Sequence, residues 1–543
     1  MKSYLAILTA VIFLSACNFK PKADTIFYNG KVVTMNAQMQ ITEAFAVKDG
    51  KILETGTTKD LMEKYTSKEK IDLLQKYVYP GFIDAHCHFM GYAGDLYKCQ
   101  LRGTVAFEKV LERVAIYNQR VNPSFIYGRG WDQNEWPKKE FPTNERLNTF
   151  FGDKPVFLKR IDGHAALVNQ KFLDMAAEVL KPFENTPYII TKNGVPTGLI
   201  LDKALEAAEK LIPELPASQM VAEVMKAQEE CFKLGITSLA DAGLSPKQIL
   251  FIDSLQKAGQ LKMRIYAMVS ASKENLEFFN SKGKIKTPYL DVRSLKVYAD
   301  GALGSRGARL KKEYSDQSGN FGTMLIAPTE LEEYAAWAIQ HEFQLNTHAI
   351  GDSANAFILS VYANYLKGKN DLRWRIEHAQ IVDPADFHYF GDYSIVPSVQ
   401  PTHATSDMSW AQARLGESRM PGAYAYRSLM KQNNWIPLGT DFPVEYLNPQ
   451  YTFFAAVSRK DGMNKPKDGF NMTEGISRED ALKGITIWAA TANFEEAEKG
   501  SLEAGKYADF VIYDQNFLTD DLIQIRNSLP FKTFVNGQEV AHQ

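Results

Sequence analysis

The chain has 543 residues, which is more than a usual single domain, so we expect one large domain with at least one smaller unit or insertion. Hydrophobic residues make up 45% and charged residues 23% of the chain, a balance typical of a globular protein and not of a disordered or fibrous one. The formal net charge of −2 gives no indication of a nucleic-acid surface or an acidic tail, so the composition favours a protein that acts on a small molecule.

Residues 1–17 have the pattern of a bacterial export signal. Lys2 precedes an apolar run over residues 5–14, which is too short for a stable membrane span. The sequence Leu-Ser-Ala-Cys that follows resembles a lipobox, in which Cys17 would be lipidated and become the first residue of the mature protein. A plain signal peptide with an incidental cysteine, or a short anchor, is the alternative. The lipobox predicts a lipid-anchored protein of the bacterial cell envelope that faces the periplasm, and Asn18, where Asp would resemble an inner-membrane retention signal, favours the outer membrane.

The remaining cysteines are Cys87, Cys99 and Cys231. Their odd number and wide spacing do not indicate a disulfide framework, although the predicted compartment would permit one. We expect three free thiols.

The two ends of the chain share a pattern of short strands. Residues 24–78 contain alternating apolar stretches separated by Asn-Gly at 29–30 and Asp-Gly at 49–50, which are typical hairpin turns. Residues 491–543 repeat this style, with an apolar stretch at 508–513 and a further Asn-Gly at 536–537. We expect both ends to form one small β-sandwich.

Between these ends, residues 79–490 alternate short apolar strands with helical periods, a pattern that favours parallel strands joined by crossover helices. One such helix carries Leu331, Tyr334 and Ala338 on one face, and Thr329 and Glu332 are spaced as a capping box that would open it. Eight strands are predicted, at Val78–Ala85, Ile236–Ala240, Met263–Val269, Leu295–Ala299, Gln344–Thr347, Arg373–Glu377, Ser394–Val399 and Trp435–Gly439. Eight such units predict an α/β fold with a (β/α)8 TIM-type barrel.

The connection between the first and second predicted strands is too long for a loop. A structureless segment of this length is improbable in a compact domain, so residues 97–215 are predicted to form an inserted subdomain beside the mouth of the barrel.

Candidate metal ligands follow several predicted strands, at the carboxyl ends where the catalytic groups of such barrels lie. The first strand ends in His86-Cys87-His88, and because side chains alternate along a strand, both imidazoles face one side while Cys87 faces away. An isolated buried histidine is more often a hydrogen-bonded core residue than a ligand, but the conjunction of such residues at strand ends favours a site of the kind that zinc occupies. The other candidates at strand ends are His348, His378 and Asp441.

Lys296 lies in the fourth predicted strand and, by alternation, points into the barrel together with Tyr298 and Asp300. An ammonium group beside divalent metal would be repelled. Two interpretations resolve the conflict: Lys296 lies deeper and forms an ion pair with Asp300, which is the usual state of a barrel lysine, or its neutral amine takes up carbon dioxide and forms an anionic carbamate that bridges two metals.

These motifs together resemble those of the amidohydrolase superfamily, and specifically the branch similar to N-substituted formamide deformylase (amidohydrolase family 3). The resemblance covers nearly all of the chain after the export signal. The stretches that carry it are Pro80–His88, Lys296–Arg306, Thr347–Asp352, Glu377–Gln380, Gly439–Pro443 and Gly500–Asp509.

The resemblance implies a barrel flanked by a β-sandwich made from both chain ends, and a carboxylated Lys296. It implies two divalent cations per chain, expected to be zinc, and no organic cofactor. The implied ligands of one ion are His86, His88, Lys296 and Asp441, and those of the other are Lys296, His348 and His378. Metal would lower the pKa of a bound water toward about 7 and polarise the scissile carbonyl. Asp441 would then orient the hydroxide, take its proton and return it to the leaving amine.

Two further residues are candidates for contact with the substrate. His164 lies in the insertion and is predicted either to hydrogen-bond the substrate carbonyl or to fix its own loop. Arg306 is predicted either to pair with a substrate carboxylate or, as we favour, to hold the loop after the fourth strand. Trp131 and Trp136 line an apolar pocket or, as we favour, belong to the core of the insertion.

The predicted function is that of a metal-dependent hydrolase that cleaves a carbon-nitrogen bond in a small, non-peptide, amide-like substrate. One alternative is a deaminase of the same superfamily, whose relatives carry a Glu three residues after the histidine of the fifth strand, where this chain has Gly351. The other is a lipoprotein that binds a ligand without turnover, which the loss of a ligand residue would favour. The sequence is compatible with a monomer and with a homo-oligomer.

Overall fold

The computed structural model describes residues 20–213 and 215–542, and the predicted export signal with Cys17 lies outside these residues. The fold consists of a parallel barrel, a β-sandwich and an inserted sheet with its own helices. Within the described part of the chain, no helix combines the length and the apolar character that a membrane span requires.

The barrel contains seven regular parallel strands, each hydrogen-bonded to the next in chain order. Strand residues such as Val269, Leu295 and Leu345 point outward from the barrel and are fully buried in the main apolar core beneath the helices. The short strand Ile285–Lys286 pairs antiparallel with the fourth barrel strand. The barrel strands are Phe82–Cys87, Ile236–Leu244, Arg264–Ser270, Leu290–Tyr298, Gln344–Ala349, Arg375–His378 and Val396–Ser398.

The predicted eighth strand, Trp435–Gly439, is not a regular strand, and this prediction was wrong. Pro437 lies in this segment and has no N–H to donate to a ladder. Leu438 instead forms a single parallel bridge with Val399, and its carbonyl accepts a hydrogen bond from the N–H of Ala85 at 3.2 Å. An irregular segment therefore joins the last regular strand to the first.

The first predicted strand, Val78–Ala85, is divided between two sheets. Tyr77–Pro80 belongs to the sandwich, and the barrel strand begins only at Phe82. At Gly81 the backbone runs so close to the Thr237 side chain that a Cβ atom would lie 2.1 Å from Thr237 Oγ1. The apolar run is continuous across this junction, so its periodicity could not indicate where the chain leaves one sheet for the other.

The β-sandwich is built from both ends of the chain, as predicted. Phe27 and Phe45 of one sheet each pack against Phe510 of the other, with ring centroids 4.9 Å apart. One sheet contains Lys22–Tyr28, Ala44–Lys48, Lys51–Gly56 and Thr66–Asp72. The other contains Lys31–Val33, Ile41–Thr42, Tyr77–Pro80, Phe510–Tyr513, Lys532–Val535 and Gln538–His542.

The predicted insertion folds as a six-stranded mixed sheet with apolar cores of its own. Trp131 and Trp136 are buried there, and their indole N–H groups donate to the carbonyls of Leu158 and Thr104, so both belong to the core of the insertion. Its strands are Cys99–Gln100, Ile126–Trp131, Val156–Arg160, Ala165–Val168, Ile189–Lys192 and Val195–Leu201. Its helices are Phe107–Val121, Glu145–Phe151, Gln170–Met175, Ala177–Leu180 and Asp202–Glu209.

The helix predicted to open with a Thr329 and Glu332 capping box begins one residue before Thr329, at Pro328, with Ala327 as its N-cap residue. The capping box was therefore wrong, because a proline at the first helical position already fixes the start of the helix. The helix Thr58–Lys64 belongs to the sandwich. The other helices are Phe89–Leu96, Ala217–Lys233, Pro246–Lys257, Lys273–Lys282, Pro328–His341, Asp352–Leu366, His388–Asp392, Pro401–Asp407, Ala411–Leu415, Tyr426–Asn433, Pro449–Ser458, Arg478–Gly484, Ile487–Ala492 and Leu522–Asn527.

Candidate metal centre

The carboxyl ends of the barrel strands, together with the irregular segment that stands in place of the eighth strand and carries Asp441, bring the six predicted ligand residues into one cluster. Asp441 Oδ1 lies 3.2 Å from His88 Nε2 and 3.5 Å from His86 Nε2. The ring centroid of His378 lies 4.9 Å from that of His86 and 4.5 Å from that of His348. Lys296 Nζ lies 3.4 Å from His86 Nε2. Cys87 faces the helices and is buried in the main core, as alternation predicted.

Three of the histidines are oriented by hydrogen bonds at Nδ1. The acceptors are Glu377 Oε2 for His86 at 2.5 Å, the Ala242 carbonyl for His88 at 2.9 Å, and Gln400 Oε1 for His378 at 2.7 Å. Oxygens of these kinds accept and do not donate, so Nδ1 carries the proton and Nε2 keeps its lone pair. An acceptor behind each imidazole is the usual support of metal-binding histidines.

Electrostatics favour neutral imidazoles in this cluster. Burial lowers the pKa of His86, His348 and His378, and the neighbouring positive charges lower it further. Burial opposes the charge of Glu377, but His86 and Arg375 lower the pKa of this carboxyl to about 2. The site therefore presents lone pairs backed by a fixed negative charge.

Two buried atoms of the cluster have no hydrogen-bond partner among the described residues, His348 Nε2 and Asp441 Oδ1. Unsatisfied buried polar atoms are costly, so each calls for a partner, and a cation would supply one. His86, His88 and Asp441 offer ligand atoms within 4.8 Å of one another, as do His378, His403 and Asp441. Imidazole nitrogen and carboxylate oxygen are donors that zinc takes, so the residues fit a divalent cation.

Lys296 is buried within this cluster, and burial lowers the pKa of its amine to about 8. The ion pair between Lys296 and Asp300, one of the two interpretations of the sequence, is not formed. The Asp300 carboxylate instead accepts hydrogen bonds from the backbone N–H groups of Arg309, Ile350 and Gly351, at 2.8 to 2.9 Å. The Lys296 amine thus contacts His86 in the cluster, whereas the Asp300 carboxylate binds backbone N–H groups of the neighbouring loops.

Sequence reasoning missed His403, a further histidine in the cluster. Its Nε2 lies 3.2 Å from Asp441 Oδ2, and its Nδ1 lies 3.2 Å from Glu445 Oε1. Burial opposes a charge on the ring, but these two hydrogen bonds raise the pKa of His403 to about 10. A signal was present, because His403 follows the seventh barrel strand by a few residues, but it lies within the helix Pro401–Asp407 and not at the strand end.

The two predicted substrate contacts lie in different settings. His164 is partly exposed, its Nδ1 lies 3.0 Å from Asp202 Oδ1, and its charge is close enough to contribute to the lowered pKa of His348. Arg306 forms two hydrogen bonds with the Asp316 carboxylate, at 2.9 and 3.0 Å, within the loop after the fourth strand. The His164 ring is thus paired within the insertion, whereas the Arg306 guanidinium is held by its own loop.

Comparison with known proteins adds evidence of descent. A profile described as "Amidohydrolase family" matches residues 69–541. The chain belongs to the amidohydrolase family. It is 30% identical to Protein LONG AFTER FAR-RED 3 of Arabidopsis thaliana, over 99% of this chain and 96% of that protein. It is 23% identical to the N-substituted formamide deformylase of Arthrobacter pascens, over 95% of this chain and 97% of that protein.

The fold of the chain is also that of a solved metal-dependent hydrolase. An uncharacterised metal-dependent hydrolase from Pyrococcus horikoshii superposes with a TM-score of 0.77 and 29% identity, over 92% of this chain and 99% of that one. The family membership, this match and the donor set of the cluster together support a metal-dependent hydrolase.

Proposed function

We propose that this amidohydrolase cleaves a carbon-nitrogen bond in a non-peptide, amide-like small molecule, with two zinc ions per chain. The observation that carries the proposal is a cluster in which acceptors hold Nδ1 of three histidines, His86, His88 and His378. In two of them, His86 and His88, the Nε2 atom faces Asp441 Oδ1. One ion would be held by His86, His88, Lys296 and Asp441, and the other by Lys296, His348 and His378. Divalent cations in such a site polarise a carbonyl and activate a water near neutral pH.

Lys296 contributes as a carbamate in this proposal. The ammonium group first loses a proton, and the neutral amine then attacks carbon dioxide. A bond forms between Nζ and carbon as a second proton leaves the nitrogen, so the side chain changes from a cation to an anion. The position of the amine supports this change, because Nζ is buried beside the nitrogen of His86, where an ammonium group would oppose a cation. Asp300 does not compete for the amine, since three backbone N–H groups occupy its carboxylate.

Asp441 is the proposed proton carrier. It accepts a proton from the attacking water and returns it to the nitrogen of the leaving amine, while water oxygen adds to the carbonyl carbon and the carbon-nitrogen bond breaks. The hydrogen bond with His403 keeps the pKa of Asp441 low against the effect of burial, so this carboxylate is ionised at neutral pH and can accept a proton. His164 would contact the substrate carbonyl from the insertion, and Arg306 would order the loop beside it.

The deaminase alternative is disfavoured at Gly351. The deaminases considered above have an acidic side chain at this place, but a Cβ atom on Gly351 would lie 2.0 Å from the Arg309 carbonyl oxygen. The backbone around Asp300 would have to move to admit any side chain there. The other alternative is a lipoprotein that binds a ligand without turnover. The loss of a predicted ligand residue would favour it, but every one of these residues is present.

The decisive experiment uses a soluble form that begins at Asn18, loaded with zinc and assayed against N-formyl amines, N-acyl amino acids, cyclic amides and esters. The name of the deformylase relative places N-formyl amines first in the panel. We expect hydrolysis of an amide with two zinc ions per chain. Asp441→Asn should lower turnover about 10²- to 10⁴-fold, the usual span for loss of a general acid-base group. Turnover of none of these substrates by a fully loaded protein would refute the proposal, and one ion per chain would require a single-ion mechanism.

A further inference from the structure

His403 differs from the histidines that face the proposed metal. His86, His88 and His378 each have an acceptor at Nδ1, and their Nε2 atoms are left for a ligand. His403 is buried between two carboxylates, with Asp441 Oδ2 at one ring nitrogen and Glu445 Oε1 at the other. Each ring nitrogen of His403 therefore has a carboxylate oxygen within hydrogen-bond distance. This ring bridges two side chains, whereas the other three histidines each have only one nitrogen held by a hydrogen-bond acceptor.

Glu445 is itself held in place from two directions. The Ser406 hydroxyl donates to Glu445 Oε1 at 2.6 Å, and Arg102 Nη2 lies 3.6 Å from Glu445 Oε2. Arg102 is anchored in turn, because its Nη1 donates to the Pro443 carbonyl at 3.2 Å and its guanidinium lies over the Tyr446 ring, 4.1 Å from the centroid. Arg102 belongs to the predicted insertion, so this subdomain contacts the loop that follows Asp441.

We propose that His403 is a positioning residue for Asp441, held by Glu445 and, through Arg102, by the insertion. This inference rests on the proposed function, in which Asp441 moves the proton. His403 fixes Oδ2 of Asp441, and the other oxygen, Oδ1, then faces His86 and His88. The two oxygens of Asp441 therefore have different neighbours: Oδ2 contacts His403, and Oδ1 faces the predicted metal ligands. The insertion acts on the proton carrier through this chain of contacts, besides any contact it makes with substrate.

The competing interpretation makes His403 a ligand, because His378, His403 and Asp441 also lie close enough to hold a cation. Metal content separates the two. A lost ligand removes an ion, whereas a lost positioning residue leaves the ions in place and slows the reaction.

The test compares His403→Asn, Glu445→Gln and the double variant with a control, His388→Asn, at an exposed histidine paired with Asp392. Each zinc-loaded protein is analysed for metal content, kcat and KM on the best amide substrate. We expect two ions per chain throughout, an unchanged KM, and a kcat about 10- to 100-fold lower in both single variants, as for other partners of metal ligands. The double variant should be no worse than His403→Asn, because residues that act as one unit are not additive.

Loss of an ion in His403→Asn would overturn the inference in favour of a ligand role. Additive losses would overturn it by showing that His403 and Glu445 act independently, and a kcat equal to that of the control variant would overturn it by making His403 a bystander. Glu445→Gln keeps the His403 ring, so it decides the question if His403→Asn does not fold. If the zinc-loaded parent protein turns over none of the amides, the proposed function fails separately. The cobalt-substituted proteins then decide: an altered visible spectrum at full cobalt content in His403→Asn supports positioning, and an unaltered spectrum refutes it.

Discussion

The contact between Glu377 and His86 offers a sharp test of how the metal centre is supported. Glu377 is fully buried, its Oε2 lies 2.5 Å from His86 Nδ1, and its Oε1 lies 3.7 Å from Arg375 Nη1. Glu377→Gln keeps the shape of the side chain and removes its charge. His86 then loses its anionic partner, and the buried Arg375 guanidinium loses the nearest compensating charge.

Two measurements follow from this geometry. The folded state lowers the pKa of Glu377 from 4.5 to about 2, which corresponds to about 3 kcal/mol of stabilisation at neutral pH. Breaking a buried ion pair typically costs 3–5 kcal/mol, so the two figures agree. The metal-free Glu377→Gln protein should therefore unfold in urea with a free energy lower by about 3 kcal/mol at pH 7. Its zinc affinity, measured by chelator competition, should fall about 10- to 100-fold.

The pH dependence gives an independent check of the same contact. A carboxyl whose pKa is depressed by folding contributes its full stability above its unfolded pKa and loses that stability as the pH falls through the folded pKa. The difference between the parent protein and Glu377→Gln should be constant above about pH 5 and shrink toward pH 2. Glu223→Gln, at a buried glutamate paired with Lys226 outside the cluster, is the control and should leave zinc affinity unchanged. Equal zinc affinity and equal stability in Glu377→Gln would refute the argument.

Three further predictions concern single residues of the chain. Lys296→Ala should lose at least one metal ion, and a short carboxylic acid should partly restore it by replacing the anionic bridge; full occupancy and activity would exclude the carbamate. His164→Asn should lower turnover far more than metal content, since the His164 ring is paired with Asp202 and is not one of the predicted ligands. Unchanged kinetics would reduce His164 to a structural role. Cys17→Ala should abolish lipid attachment and membrane association in the full-length chain; a variant that still partitions into detergent with acyl chains attached would exclude the proposed lipoprotein.

The residues of the candidate metal centre could be predicted because two rules of the barrel act on short segments. Side chains alternate along a strand, and functional groups collect at the carboxyl ends. His86, His88, His348 and His378 satisfy both rules, and the structure places all four in one cluster with Asp441. Both rules need only residues that are close in sequence.

The supporting residues could not be predicted in this way, because each acts across a long separation. Glu377 contacts His86 from 291 positions away, and Arg102 contacts Pro443 from 341 positions away. His403 lies inside a helix that follows a strand, a position for which the strand-end rule makes no statement. Such contacts depend on how the strands are arranged around the barrel, and a local sequence pattern does not predict that arrangement.

The backbone at two positions of the candidate metal centre adds a conformational cost that the surrounding structure must offset. His378 and Asp441 have φ values of 75° and 60°, in the left-handed region that non-glycine residues rarely adopt. Each such residue costs on the order of 1–3 kcal/mol, and it persists only where neighbouring contacts fix it. At Asp441 these contacts are its N–H bond to the His86 carbonyl at 2.8 Å and the bonds of Thr440 to the buried Asp84 carboxylate at 2.6 and 3.0 Å.

Asp84 therefore connects the first barrel strand to the irregular eighth segment, at the point where regular strand pairing is interrupted. Its carboxylate also accepts the N–H of His86, so one buried side chain fixes both the first strand and the segment that carries Asp441. Gly439 allows this close approach, because a Cβ there would lie 2.6 Å from the His86 nitrogen. The irregular eighth segment thus has a function that a regular strand would not serve, since it brings Asp441 against His86 in a conformation that strand geometry does not provide.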